Sequence, residues 1–455
     1  MTRDTPQPAS TPSLLRSVVS TLATRFAILP LGLIQGALTA RALGPDGLGR
    51  YSAVLVDVNI VTTLLGLGLP GGLAVLTGES QGQPHAVRDL WWKGIRHVLL
   101  ALCLASLVGI ALARLLPSQF FRFLTDRTPL VTALLILCVV GQLGRDIHNA
   151  LLWGSQRFAS QNRLSLALSV FQLASVAGLF LWKKLALETA LGLQALSLWG
   201  LCVAFLLRVF FDSQNKAESF QKTPEHSDVP STKRLYGTSL RNFFHILPDM
   251  LLLRIDVYLI ELFLPPLAMR HQLGLYQAGA RVAELILMLP GTLNAVLFAK
   301  AAAKEDIGEQ ALLSAKLGLY LGLGSCVAMF FVGKPLLLLF YGDRFAGSFL
   351  PCLLLLLGCS ALCFSGPLAG ALSGARGYPP SVIWAQTLAL LTNVALNLLL
   401  LPRYGIIGAA WASVAAYTVS ALCISIAFAR HFALPLRSLI AWVPPHTIYH
   451  RLARR

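Results

Sequence analysis

Twelve long apolar stretches, separated by short polar breaks, constrain the fold of this chain more than any other feature. A helix needs about 20 mostly apolar residues to cross the hydrocarbon core of a membrane, and each stretch is close to that length. Charged residues make up only 13% of the chain, against about 25% in an average soluble protein. The pattern predicts an all-α polytopic membrane protein with helices near residues 15–39, 51–77, 95–116, 129–152, 164–182, 187–211, 236–262, 273–298, 311–333, 347–373, 380–401 and 405–430.

Two short patterns recur at a nearly constant offset. LGxYxA occurs at residues 48–53 and 273–278, an offset of 225, and each copy begins the second apolar stretch of its half. LxGxxx followed by Phe or Tyr occurs at residues 152–158 and 372–378, an offset of 220. Two matches on either side of a central polar segment predict a duplicated unit of six helices, with both copies in the same membrane orientation.

The repeats predict that the chain is organised in two six-helix bundles. The longest internal polar segment lies between them and is expected to be a flexible cytoplasmic linker. The N-terminus is polar and rich in Pro and Ser, so it is expected to be disordered. The predicted regions are the disordered N-terminus at 1–14, the N-terminal bundle at 15–211, the linker at 212–235, the C-terminal bundle at 236–430 and a cytoplasmic tail at 431–455.

A charged turn, ARALGPDGLGRY at residues 40–51, follows the first apolar stretch. Gly44 and Pro45 are expected to break the helix there, on the outer face of the membrane. Arg41 is interpreted as marking the water boundary, and Tyr51 as an anchor at the membrane interface.

Lys and Arg outnumber Asp and Glu by 37 to 20, which gives a formal charge of +17. In a soluble protein such a charge would suggest nucleic acid, but cytoplasmic loops of membrane proteins also collect Lys and Arg. With the N-terminus inside, the cytoplasmic segments hold 21 of the basic residues and the outer loops hold 11. This asymmetry predicts that both termini are cytoplasmic, and it removes the need for a nucleic-acid partner.

The sequence lacks the motifs of several other classes of protein. All eight cysteines fall in apolar stretches, with no CxxC pair and no Cys/His cluster at metal spacing, so we expect neither a disulfide nor a bound metal. There is no GxSxG, no P-loop and no nucleotide-sugar motif. We therefore expect no cofactor and no enzymatic activity.

Three segments together resemble the polysaccharide-biosynthesis membrane proteins, the flippases of O-antigen and other lipid-linked oligosaccharides. The first is the charged turn described above. The second is RIDVYLIELFLPPLAMRHQLGLYQAGARVAE at 254–284, and the third is NVALNLLLLPRYGIIGAAWASVAAY at 393–417. The similarity extends over about residues 14–430, and the third segment is the most specific.

The resemblance implies the fold shared with the MATE drug exporters and the peptidoglycan-precursor flippases, in which two six-helix bundles form a V around a central cavity. It also implies a function in the bacterial inner membrane. The protein would move an undecaprenyl-diphosphate-linked oligosaccharide from the cytoplasmic to the periplasmic leaflet by alternating access, for surface polysaccharide biosynthesis. The implied partners are this substrate, membrane lipids and the polysaccharide polymerase machinery, with no obligate oligomer.

Charged side chains inside the apolar stretches are the candidate site residues. Sugars and a diphosphate cannot cross hydrocarbon unaided, so a flippase needs a hydrated, cationic cavity. An arginine in the middle of a span costs at least about 2.5–3.5 kcal/mol, which favours a position facing the protein interior. A guanidinium matches phosphate oxygens with its fork of donors. Arg25, Arg254 and Arg281 are the predicted diphosphate contacts.

Three acidic residues are predicted to hold these arginines when the cavity is empty, or to couple transport to an ion: Asp57, Asp256 and Glu284. Glu284 lies three residues after Arg281, so the two could neutralise each other along one helix. Asp57 could pair with a buried arginine or carry a coupling proton. Asn393 and Asn397, one turn apart, are expected to make interhelical hydrogen bonds.

Two alternatives use the same sequence features differently. A cation-coupled drug exporter of the MATE type would keep the fold, but its cavity should show acidic and aromatic groups rather than arginine. An integral-membrane polymerase or glycosyltransferase should have a long periplasmic loop or a soluble catalytic segment, and the longest internal loop here has 24 residues. The buried arginines therefore favour the flippase.

Overall fold

The computed structural model of the protein describes residues 14–80, 83–115, 128–155, 157–216, 231–288, 291, 297, 307–376, 379–444 and 447. Within these residues every regular element is a helix, and the predicted all-α class is confirmed. Short 3₁₀ turns occupy Leu285–Leu287 and Asp343–Ser348. The α-helices are α1 Leu14–Gly66, α2 Leu69–Glu79, α3 Pro84–Leu115, α4 Pro129–Gly154, α5 Phe158–Leu181, α6 Leu187–Lys216, α7 Thr232–Phe263, α8 Pro266–Glu284, α9 Gly308–Tyr341, α10 Phe349–Arg376, α11 Pro380–His431 and α12 Arg437–Ile440.

The helices α1 and α11 are unusually long because each consists of two segments joined at a glycine. Gly44 (φ 64°, ψ 179°) interrupts α1, and Gly405 (φ 57°, ψ −143°) interrupts α11. A positive φ costs glycine little. Pro45 then opens the next segment, where a missing N–H leaves no hydrogen bond unmade. The predicted break at Gly44 and Pro45 is confirmed.

The helical segments follow the predicted apolar stretches. Ten helices in the described residues have 19 residues or more, and the breaks in α1 and α11 raise the number of long segments to twelve. Within the part of the chain that the structure describes, seven helices are both long and apolar enough to cross a membrane, judged by length and composition. The class of polytopic helical membrane protein is confirmed, while the count of twelve spans stays a prediction.

The second predicted stretch, residues 51–77, is not one continuous helix. Leu67 and Gly68 take left-handed φ values of 44° and 70°, so α1 ends before them and α2 begins after them. Pro70 stands in the first turn of α2 and cannot donate a hydrogen bond to the preceding turn. The chain therefore starts a new helix at this point.

The predicted regions at the chain ends and the linker stay predictions. Helix α6 continues through Lys216 and α7 begins at Thr232, so both helices extend into the predicted linker. Residues 217–230, and residues 1–13 of the predicted disordered N-terminus, lie outside the described residues. In the tail, Lys316 of α9 donates a hydrogen bond to the carbonyl oxygen of Ala441 over 2.6 Å, which ties this segment to the C-terminal bundle.

The two copies of LGxYxA pack against each other. A Cβ on Gly49 would overlap the carbonyl oxygen of Arg270 and lie 3.1 Å from the amide nitrogen of Gly274, and a Cβ on Gly274 would overlap the carbonyl oxygen of Pro45. Pro45 and Gly49 of the first copy correspond to Arg270 and Gly274 of the second copy, because each pair is separated by the offset of 225. The two close approaches are thus related by the repeat. We call this pairing of α1 with α8 the repeat contact.

The structure corrects two interpretations of the charged turn. Tyr51 is 6% exposed and belongs to the hydrophobic core, so its predicted place at the membrane interface is wrong. Arg41 does more than mark a water boundary. Its Nε donates to the carbonyl oxygen of Phe340 over 2.9 Å, and its Nη2 donates to that of Leu339. Arg41 therefore caps the C-terminal end of α9, where carbonyl groups lack partners in the helix.

Helices α2 and α7 form a second close approach between the N-terminal and C-terminal parts of the chain. Cβ atoms on Gly68 and Gly72 would overlap, respectively, the carbonyl oxygen and the hydroxyl of Ser239. The Asn242 side chain donates to the carbonyl oxygen of Gly68 over 3.1 Å. Helix α7 is thereby held against α2 and the turn where α1 ends. We call this pairing the α2–α7 contact.

Candidate functional site

Two of the predicted site residues, Arg254 on α7 and Glu284 on α8, form an ion pair. Arg254 donates from Nη1 to Oε1 of Glu284 over 2.8 Å and from Nη2 to Oε2 over 3.0 Å. The two side chains are 27% and 26% exposed, so the pair is neither sealed in the core nor fully solvated. Glu284 lies at the end of α8 and pairs with Arg254 on α7. It does not pair with Arg281, which stands one turn earlier on its own helix. A two-pronged match of guanidinium and carboxylate is stronger than a single contact along one helix surface.

Arg281 occupies the same end of α8, next to the N-terminal bundle. Its Nη2 donates to the hydroxyl of Ser52 over 3.1 Å, and its guanidinium carbon lies 5.7 Å from the ring centroid of Tyr51. A guanidinium at this distance from an aromatic face is attracted by the ring. Both partners are uncharged, and no carboxylate among the described residues forms an ion pair with Arg281. The positive charge of this arginine is therefore not offset by a direct ion pair.

Arg25 stands apart from the other two arginines. It is half-buried in the first segment of α1. Within the described part of the chain it makes no hydrogen bond or ion pair, and the structure brings it into contact with neither Arg254 nor Arg281. Its predicted role in diphosphate binding stays a prediction.

Asp57 links the second segment of α1 to α7. It is buried, and its Oδ1 accepts a hydrogen bond from the hydroxyl of Tyr258 on α7 over 2.6 Å. A carboxylate at this depth needs such a donor, because burial without one costs several kcal/mol by rough estimate. The hydrogen bond from Tyr258 was not anticipated from the sequence, and the predicted role of Asp57 as an arginine partner or proton carrier stays a prediction.

Asp256 lies at the centre of a buried polar cluster between α7, α8 and α11. Its carboxylate accepts hydrogen bonds from the hydroxyls of Tyr276 and Ser413 and, over 2.9 Å, from the Asn397 amide. Asn397 also donates to the side chain of Asn393 over 2.9 Å. The Asn397–Asn393 bond lies within one helix, whereas Asn397 reaches Asp256 on α7 and Asn393 donates to Ser413 in the second segment of α11 over 3.4 Å, so the expected bonding between helical segments is confirmed. These partners of Asp256 are all neutral donors, so its carboxylate is stabilised by hydroxyl and amide groups rather than by an arginine.

Sequence reasoning missed the uncharged partners in this region. Tyr276 is the tyrosine of the second LGxYxA copy, so the motif itself pointed to a special position. Ser52 belongs to the first copy, directly after Tyr51. Tyr258 and Ser413 had no such signal, because a single hydroxyl in an apolar helix is common. The site therefore depends on hydroxyl groups as much as on the charges that first drew attention to it.

The arrangement is suited to binding an anion rather than a metal. In the described residues no group of three or more His, Cys, Asp and Glu side chains could hold a metal ion. The eight cysteines are free thiols. Arg254 and Arg281 converge on the end of α8, where Glu284 offsets one of the two positive charges. These three side chains together carry one net positive charge, on groups that recognise phosphate oxygens well, and the buried carboxylates of Asp57 and Asp256 lie on the neighbouring helices α1 and α7.

Comparison with solved structures defines the class of fold. The lipid II flippase MurJ in its inward closed conformation is similar over 93% of this chain and 89% of that chain, with 15% identity and a TM-score of 0.61. A MATE protein in the straight conformation is similar over 92% of this chain and 95% of that one, with 15% identity and a TM-score of 0.59. The Vibrio cholerae MATE transporter VcmN in the bent form matches over 91% and 98%, with 15% identity and a TM-score of 0.55. This protein has the fold that these transporters share.

Sequence comparison then identifies the family. The family model described as "Polysaccharide biosynthesis protein" matches residues 14–299, which is more than half of the chain. The chain belongs to the polysaccharide biosynthesis protein family. No curated protein matches the chain significantly in sequence. The resemblance noted from the three sequence segments is confirmed.

Proposed function

We propose that this protein is a flippase that moves an undecaprenyl-diphosphate-linked oligosaccharide from the cytoplasmic to the periplasmic leaflet of the bacterial inner membrane. Membership of the polysaccharide biosynthesis family supports a role in polysaccharide assembly. The fold shared with a lipid II flippase supports movement of a lipid-linked sugar. The predicted layout, with two six-helix bundles and cytoplasmic termini, is part of this proposal.

The observation that carries the proposal is the presence of two partly exposed arginines, Arg254 on α7 and Arg281 on α8, beside Glu284 at the end of α8. Arg281 has neutral partners and Arg254 has one carboxylate, so the group attracts an additional anion. A diphosphate supplies oxygens that fit guanidinium donors, and it needs cations wherever it leaves water. A cationic drug would be repelled here, which disfavours the alternative of a MATE-type drug exporter.

The proposal is tested by complementation of a deletion strain with Arg25→Ala, Arg254→Ala and Arg281→Ala, scored by surface polysaccharide and protein level. We expect the Arg254 and Arg281 variants to lose most of the polysaccharide while the protein still reaches the membrane. Arg403→Ala is the matched control, because Arg403 is exposed in the turn between the two segments of α11. Full function in all three variants, alone and combined, would contradict the proposal.

Asp57 and Asp256 are proposed as coupling residues within the same cycle. Each carboxylate is buried and accepts a hydrogen bond from a tyrosine hydroxyl, a donor that can serve both the charged and the protonated form of the carboxyl group. Asp256→Asn keeps the shape of the side chain but removes its charge. We expect this variant to fold and to lose the dependence of transport on the driving ion or proton gradient in proteoliposomes. An unchanged gradient dependence would exclude Asp256 as the coupling group.

A further inference from the structure

The two arginines at the end of α8 differ in how their donors are used. Arg254 commits both Nη atoms to Glu284, with one oxygen for each nitrogen. Arg281 commits one Nη to the uncharged hydroxyl of Ser52. A phosphate can therefore approach Arg281 directly, whereas end-on binding to the two Nη donors of Arg254 requires that Glu284 leave first.

Glu284 presents to Arg254 the same chemistry that a phosphate would present. Both offer two oxygens in one plane, spaced to fit the fork of a guanidinium, and both carry negative charge. The two cannot occupy the same pair of Nη donors together. Binding of a diphosphate to Arg254 and binding of Glu284 to Arg254 are therefore competing events.

The structure also offers Glu284 a second cation. Arg281 stands three residues earlier on α8, a spacing at which side chains on a helix surface are neighbours. Glu284 can turn away from Arg254 and still lie close to a positive charge. This lowers the cost of releasing Arg254, because a carboxylate left alone at this depth would be strongly disfavoured.

We propose that Glu284 is an internal competitor of the diphosphate: it occupies Arg254 when the protein is empty, and it retakes Arg254 to release the cargo. The inference rests on the proposed function and assigns Glu284 the role of a positioning residue that acts through Arg254. Arg281 is the arginine that receives the diphosphate first. Competition of this kind keeps binding weak enough for the cargo to leave on the far side.

Binding and transport measured on the same variants test this inference. Purified protein in nanodiscs is titrated with undecaprenyl diphosphate, and transport is measured in proteoliposomes. We expect Glu284→Gln to bind the diphosphate lipid about tenfold more tightly and to transport it more slowly. Arg254→Ala should abolish this gain, so that the double variant binds no better than Arg254→Ala alone. Glu284→Asp, which keeps the charge on a shorter side chain, should give a smaller gain.

A purely structural role for Glu284 predicts the opposite result. Loss of an interhelical ion pair would then weaken binding and lower thermal stability, with Glu284→Gln and Arg254→Ala showing similar defects. Glu188→Gln in the first turn of α6 is the control for removal of a carboxylate elsewhere. Unchanged or weaker binding by both Glu284→Gln and Glu284→Asp would overturn the inference.

The same titration separates this inference from the proposed function. Uncharged undecaprenol is the comparison lipid for the wild-type protein. Preference for the diphosphate without any gain in the Glu284 variants would remove the competitor role and leave the flippase proposal intact. Failure of the wild-type protein to prefer the diphosphate would remove both.

Discussion

The repeat contact and the α2–α7 contact join the N-terminal and C-terminal parts of the chain in chemically different ways. In the repeat contact, Gly49 and Gly274 each meet the main chain of the opposite helix. Within α2, by contrast, Gly71 and Gly72 meet first the side chains of Asn242 and Ser239. A side chain can rotate away from an added methyl group, but a helical backbone cannot. The first contact should therefore tolerate change much less than the helical part of the second.

The difference bears on the proposed alternating access, in which the N-terminal and C-terminal parts of the chain would separate on one side at a time. On the orientation proposed above, the repeat contact faces the periplasm and the α2–α7 contact faces the cytoplasm. The structure closes both at once. In the repeat contact the glycines meet main-chain atoms, with Asp46 and His271 3.6 Å apart beside them, whereas the α2–α7 contact also includes the hydrogen bond from Asn242 to Gly68. Substitutions that disturb one contact should favour opening on that side only.

The largest decrease in stability and in closure of the repeat contact is expected for Gly274→Ala. The added methyl group would collide with the Pro45 carbonyl and force α1 and α8 apart, at a cost of about 1–3 kcal/mol for an overpacked site. Closure of the repeat contact can be followed by oxidative cross-linking of cysteines placed at Asp46 and His271, whose side chains lie 3.6 Å apart. Cross-linking should fall sharply. Gly36→Ala, where nothing lies within 4 Å of the added atom, is the control, and equal cross-linking in both variants would refute the repeat contact as a tight seal.

A smaller decrease in stability and in cross-linking is expected for Arg41→Ala. The substitution removes the two hydrogen bonds to the end of α9, and loss of a helix cap typically costs about 0.5–2 kcal/mol. The variant should unfold at a lower temperature in detergent and should cross-link less well at positions 46 and 271. Arg50→Ala provides a nearby comparison, because Arg50 is exposed on the same helix. A melting temperature equal to that of Arg50→Ala would argue against the capping role.

Gly72→Ala should have a weaker effect than Gly274→Ala. The nearest atom to the new methyl group is the Ser239 hydroxyl, which can adopt another rotamer. We expect a cost near 1 kcal/mol or less in thermal unfolding, with no change in cross-linking at the repeat contact. Gly237→Ala on α7, which meets nothing within 4 Å, is the matched control. A melting temperature lower than that of Gly274→Ala would reverse the ranking of the two contacts.

The smallest effect is expected for Glu79→Gln at the edge of the α2–α7 contact. Glu79 pairs with Arg234 over 2.9 Å, and the side chains are 43% and 61% exposed. Exposed ion pairs contribute about 0–1 kcal/mol and weaken in salt. The melting temperatures of the variant and the wild type should differ slightly at low salt and converge at high salt. A difference that persists at high salt would show that this pair contributes more than an exposed contact.

Much of the fold could be predicted because it depends on local signals. Apolar length located the helices, and Gly44 with Pro45 located the break in α1. The interruption at Leu67 was missed although Gly66, Gly68 and Pro70 flank it, because Gly and Pro are also frequent inside membrane-spanning helices. Tyr51 was placed at the membrane surface because tyrosine is common there, although its actual surroundings are set by α8.

The candidate site was predictable in its residues but not in its pairings. Charges in apolar helices stand out, so Arg254 and Glu284 were found from the sequence. Their partnership was not, because spacing along the chain relates neighbours on one helix, and these residues are 30 positions apart on two helices. Asp256 and Asn397 are separated by 141 positions. Which helices face each other is decided by tertiary packing, and an unaligned sequence holds no direct record of it.

The reciprocal seating of Gly49 and Gly274 has a consequence for how such a chain can arise and change. A surface that fits a rotated copy of itself is what a symmetric dimer needs, so a single six-helix unit bearing LGxYxA would already possess a mating face for a second unit. Fusion of two such units would keep that face and make it internal. After such a fusion, replacement of either glycine by a larger residue would push the opposite helix away. The two halves would therefore keep the same geometry at this contact while the rest of their sequences diverged.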